Sequence, residues 1–173
     1  MMRLLTMREI ASLLNAMPDV LNAQLAAVED DLLAWRPAED EWCIKEIIGH
    51  LIETDRVAFR GRIELLLAEP APTLGGMDVN GVAAARRDDV RPLSELIDEL
   101  RRERALAAPL VAGLTSDDLE RVGPYPRLGQ LRVADLVYEW PFHDAAHLMQ
   151  IQEIIRLRAL PGMSEAMQRA VTS

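Results

Sequence analysis

An all-α fold, a four-helix bundle with a long crossover between its second and third helices, follows from three observations. Four long segments repeat apolar residues at steps of three and four, the period of a helix with one buried face. Leu, Ala, Ile and Met are abundant while aromatics make up 4% of the 173 residues, a balance that favours helix over strand. The segment 70–91 carries Pro70, Pro72, Gly75, Gly76 and Gly81, and so long a connection suits a crossover better than a simple hairpin.

The first helix is expected over about 7–30, with Ile10, Leu13, Leu14, Met17, Leu21, Leu25 and Val28 on its stripe. Pro18 lies inside it and should kink or split it. Trp35-Arg36-Pro37 and Trp42 frame a turn before the next helix. Trp35 should pin this turn to the bundle end, and Trp42 stands where it can wall a pocket. The second helix is expected over about 44–68, with Ile44, Ile47, Ile48, Leu51, Ala58, Phe59 and Leu66 inward. Within the crossover, a short helix is expected near 82–87. Pro92 suits the first turn of the third helix, whose stripe runs from Leu93 to Leu114. The stretch 115–132 reads as a second linker with one helical turn at 116–119. The fourth helix should cover about 133–157, with Pro141 inside it, followed by a weakly held tail over 161–173. One domain over 1–173, with its core within about 7–157, is the expected organisation.

A net charge of −9 argues against nucleic acid as partner. The lone Cys43 leaves no internal disulfide, no N-terminal stretch reads as a signal peptide, and no apolar run reaches membrane-spanning length. A cytoplasmic protein with no membrane contact is the expectation.

The chemistry concentrates in the three histidines. His143 and His147 are four residues apart and share one helix face. His50 falls on the flank of the second helix's stripe, about 60° from Ile47. Three neutral imidazoles from two helices form a ligand set for a divalent transition metal with a position left open. The spacing is not the H-E-x-x-H of zinc peptidases, since Asp144 follows the first histidine. Glu46 and Glu139, each one turn before a ligand, are candidate acceptors for the second ring nitrogens, although a solvated helix face is the simpler role for both. Glu139, Asp144 and Gln150 are the residues able to close the coordination shell. Asp55, Arg104 and Asp144 interrupt apolar stripes, which predicts an internal ion pair. Cys43 stands at a helix N-cap, a setting that can favour a thiolate.

Two stretches carry a family resemblance. Trp35-Arg36-Pro37 with Glu41-Trp42-Cys43-Ile44-Lys45-Glu46-Ile47-Ile48-Gly49-His50-Leu51 resembles a W-x-P … E-W-S-x-x-E-x-x-x-H-L segment, and 143–151 resembles H-D-x-x-H-x-x-Q-I. Both are features of the DinB/YfiT-like superfamily; Cys43 departs from the usual Ser. The resemblance implies a four-helix bundle with an unusual crossover. It implies a metal site of nickel, zinc or iron at His50, His143 and His147, and frequent homodimers. Members include S-transferases and isomerases that use bacillithiol or mycothiol, and others regarded as metal-dependent hydrolases. The leading expectation is therefore a metal-dependent transferase joining a small-molecule thiol to an electrophile. A hydrolase is the alternative, and a non-catalytic metal-binding stress-response bundle is another.

Overall fold

The structure, a computed structural model, describes residues 3–126 and 128–172. Thr6 caps the first helix, α1 (Met7–Leu25), in a reciprocal box with Glu9. Pro18 is accommodated without splitting α1. The helix stops at Leu25, short of the expected residue 30, and a separate turn α2 (Asp30–Leu33) follows. The second bundle helix is continuous from α3 (Ile44–Glu53) through a π-helical stretch at Thr54–Arg60 into α4 (Gly61–Ala68). The crossover contains α5 (Val79–Arg86), close to the expected position. The third bundle helix is α6 (Leu93–Gly113), with Pro109 inside it, and α7 (Ser116–Leu119) is the expected single turn.

A small antiparallel hairpin, β1 (Val122–Tyr125) and β2 (Gly129–Arg132), lies where a plain linker was expected. Proline and glycine hide it in the sequence, because Pro124 is a strand residue and Gly129 turns the chain at a φ of +79°. Tertiary support makes up for the weak local propensity. Leu131 is buried in the core, and Leu74 of the crossover donates its N–H to the Pro124 carbonyl at 2.9 Å. The last bundle helix, α8 (Val133–Ala159), runs through Pro141, and α9 (Glu165–Thr172) ends the described chain. No helix among the described residues is long and apolar enough to cross a membrane.

The bundle is built from α1, the α3–α4 helix, α6 and α8. Helix α1 packs most extensively on α6 and also on α8; α3 likewise packs on both α6 and α8. Consecutive bundle helices, first with second and third with fourth, are thus diagonal partners, while the second and third, joined by the long connection, pack side by side.

The core has two halves. One gathers Ile10, Leu14, Phe59, Ile63, Leu136 and Trp140, and the other Leu21, Ile48, Leu51, Leu100, Ile151 and Ile154. Between them, at the midpoint of three helices, lies a buried polar layer of Asp55, Arg104 and Asp144. The histidines stand at its edge.

Candidate metal centre

His50 sits in the last turn of α3, and His143 and His147 project from adjacent turns of α8. The three are half-buried, and one ring nitrogen from each lies within 4.8 Å of the others. The Nε2 atom of His143 is 3.1 Å from that of His50 and 3.2 Å from that of His147. Nitrogen ligands about 2.1 Å from a shared ion are about 3.0 Å apart at a right angle and about 3.4 Å apart at the tetrahedral angle. The observed separations fall between those limits. Sequence spacing placed these three residues together, and the fold brings them together.

The electrostatics keep the rings neutral, the form that ligates. Burial pushes His50 down to about 4, with a contribution from His147. Burial pushes His143 down to about 3, reinforced by His147, His50 and Arg104. His147 is lowered by burial against the opposing pull of Gln150. The Nδ1–H of His147 donates to Gln150 Oε1 at 3.0 Å. That bond selects the tautomer whose Nε2 lone pair faces the other rings.

A proton on the central His143 Nε2 can satisfy one neighbouring nitrogen and not both. A single cation satisfies all three, so these residues fit a metal ion. The metal would also find open positions. Among the described residues, no fourth His, Cys, Asp or Glu joins the group. Gln150 is engaged with His147, Asp144 is engaged with Arg104, and Glu139 is exposed.

The expected carboxylate partners of the ligands take other roles. Glu46 receives Arg36 at 2.5 Å and the Cys43 N–H at 2.9 Å, so it stabilises the start of α3 instead of orienting His50. Glu139 faces solvent. The Nδ1 of His143 is buried and has no hydrogen-bond partner among the described residues. Cys43 is the N-cap of α3, but burial pushes its thiol up to about 11, which removes it as a nucleophile. Trp42 does wall the site: its ring centroid is 4.8 Å from that of His50 and 6.5 Å from that of His147. Phe59 closes another side, edge-to-face with His143 at 5.3 Å and stacked on Trp140 at 4.9 Å.

Arg104 grips Asp144, the residue next to His143 in the chain, with two parallel bonds of 2.6 Å from Nη1 and Nη2. Its Nε lies 2.6 Å from Asp55 Oδ2, although the N–H is not aimed along that line. Trp140 Nε1 donates to Asp55 Oδ1 at 2.6 Å. Burial holds the Asp55 carboxyl up at about 7 against the charge of Arg104. The expected ion pair is a three-helix cluster, in which Arg104 spans from α6 to its diagonal partner α8.

The π-helical stretch makes this possible. Ile47, Leu51, Asp55, Phe59 and Ile63 are all buried and all four residues apart. In an ideal α-helix each four-residue step drifts by about 40°, which would carry Ile63 well away from the face of Ile47. The wider π turn absorbs the drift and keeps Asp55 and Phe59 inward. Gly61 completes it, since its N–H bonds the Arg56 carbonyl and a Cβ there would lie 2.6 Å from that oxygen. The strict spacing of four was the sequence signal for this element.

Comparison with known proteins agrees with the architecture. The sequence model of the DinB superfamily matches residues 13–151. The uncharacterized protein YuaE of Bacillus subtilis (strain 168) is 27% identical over 143 residues, covering 76% of this chain and 88% of its own. The solved structure of YfiT from Bacillus subtilis superposes with a TM-score of 0.80 at 17% identity, covering 88% of this chain and 87% of that one. YfiT is described as a probable metal-dependent hydrolase with an unusual four-helix bundle topology. With the profile spanning most of its length and the bundle reproduced, the chain belongs to the DinB superfamily.

Proposed function

We propose that the protein is a metal-dependent enzyme whose ion is held by His50, His143 and His147. The observation that carries this reading is the convergence of three neutral imidazoles without a fourth protein ligand among the described residues. A divalent ion there, nickel, zinc or iron, would supply Lewis acidity and lower the pKa of a water or thiol at an open position. Among the described residues, no free carboxylate stands beside the rings. Asp55 and Asp144 are committed to Arg104, and Glu46 to Arg36. That favours chemistry in which the nucleophile is activated by the ion and needs no separate proton acceptor. Trp42 and Phe59 supply apolar walls that exclude water and orient a small substrate.

Two nucleophiles suit such a site. Transfer of a low-molecular-weight thiol to an electrophile is the reading the family resemblance supports, and a small thiol is then the partner substrate. Hydrolysis is favoured by the description of YfiT. A homodimer in the cytoplasm acting on small molecules completes the proposal, and the charge of −9 supports a partner other than nucleic acid. The test uses protein purified without added metal, then loaded with nickel, zinc or ferrous iron. Ester hydrolysis and thiol conjugation to a generic electrophile are assayed with and without chelator. Activity in one assay that chelator abolishes and metal restores is expected, and the assay that responds identifies the nucleophile. Activity that survives chelation overturns the proposal.

A further inference from the structure

We infer that Arg104, clamped between Asp55 and Asp144, is a positioning residue for the three-histidine centre, and that Asp55 gives the cluster a surplus negative charge directed at the bound cation. The inference rests on the metal reading above and goes beyond it, because none of these residues is a ligand. His50 and Asp55 belong to one continuous helix, five residues apart, and His143 and Asp144 are neighbours on α8. Arg104 comes from α6 and contacts both carboxylates at 2.6 Å. One guanidinium therefore ties the helix bearing His50 to the helix bearing the histidine pair, through the residue next to His143. Trp140 closes the frame from α8 by donating to Asp55.

Charge points the same way. Two carboxylates face one guanidinium, and all three side chains are almost fully buried. A structural ion pair needs one carboxylate; the second, ionised above about 7, then leaves the layer anionic beside three uncharged ligands. A dication held by those ligands is what such a surplus offsets. The bridges from Glu103 to Arg56 and Arg60 also join α6 to the second bundle helix, but they lie nearer solvent and include no neighbour of a histidine. They provide an internal control.

The experiment compares wild type, D55N and E103Q by cobalt(II) titration, following the ligand-field absorption bands, with helical content measured by circular dichroism. D55N is isosteric, keeps Arg104 paired with Asp144, and removes only the surplus charge and one arm of the clamp. We expect D55N to stay helical, to bind cobalt about 10-fold to 100-fold more weakly, and to shift the absorption bands. E103Q should match wild type in both. D55N with wild-type affinity and bands overturns the inference, and so does an equal loss in E103Q, which would make any inter-helix tie sufficient. Loss of helical fold in D55N also overturns it, by making the carboxylate a determinant of folding. Wild-type protein that binds no cobalt overturns the metal reading itself, an outcome distinguishable from all of these.

Discussion

Replacing Arg104 with methionine would leave Asp55 and Asp144 buried without their counter-ion. The Arg104 side chain is 1% exposed and makes three contacts of 2.6 Å to the two carboxylates. Opposite charges about 4 Å apart attract by about 4 kcal/mol at an effective dielectric near 20. Removing one partner of a buried pair typically costs about 3–5 kcal/mol. We expect a loss in that range at pH 8, a drop of roughly 6–20 °C in Tm for a chain of this size. The sign of the pH dependence is a second check. Without Arg104 the Asp55 carboxyl is held further up by burial, so the folded variant binds more protons there than the unfolded chain, and the loss in R104M relative to wild type should shrink as pH falls. Urea denaturation from pH 8 to pH 5 measures both. Substituting all three residues together, D55L/R104M/D144L, should recover most of the loss, since apolar packing can replace a buried ion cluster. A cost below about 1 kcal/mol in R104M, or one that grows as pH falls, would refute the assignment of Arg104 as the counter-ion of this layer.

Acid should act on the metal-free protein through the histidines. His50 at about 4 and His143 at about 3 lie below the ordinary 6.5. The unfolded chain therefore takes up protons first, and their contribution is intact above about 6.5 and lost as pH falls toward those values. Asp55 is shifted the other way, so D55N isolates the effect; its unfolding free energy should drop by roughly 2–4 kcal/mol between pH 7 and pH 5. A flat or rising profile would contradict the neutral, buried imidazoles. At Gly61 an added methyl meets the Arg56 carbonyl at 2.6 Å; G61A should cost about 1–3 kcal/mol in urea melts and weaken cobalt binding by re-phasing Asp55 and Phe59. Unchanged melting and binding would mean the π turn is not needed at this site.

The bundle and the histidine cluster were legible because both depend on helical spacing. His143 and His147 must share a face when α8 forms, and the charges at 55, 104 and 144 had to meet because none is tolerable alone in an apolar stripe. Longer-range features were harder to read. The hairpin at 122–132 depends on Leu131 and the crossover segment, not on its own residues. Glu46 looked like a histidine partner by spacing, yet Arg36 and the Cys43 amide, brought close by the turn before α3, hold it instead. The end of α1 at Leu25 is similar: an apolar period continues to Val28, but the chain must turn there to reach α2. The π turn was encoded in plain sight, in a run of fours that an α-helical reading treats as ordinary amphipathicity.

The central claim is that His50, His143 and His147 hold one divalent ion. Zinc titration of chelator-stripped protein, followed by calorimetry for wild type and for H143A/H147A, tests it most directly. The account predicts a single site in wild type that disappears in the double variant while helical content is retained. Zinc binding of unchanged stoichiometry and affinity in H143A/H147A, or none in wild type, would contradict it.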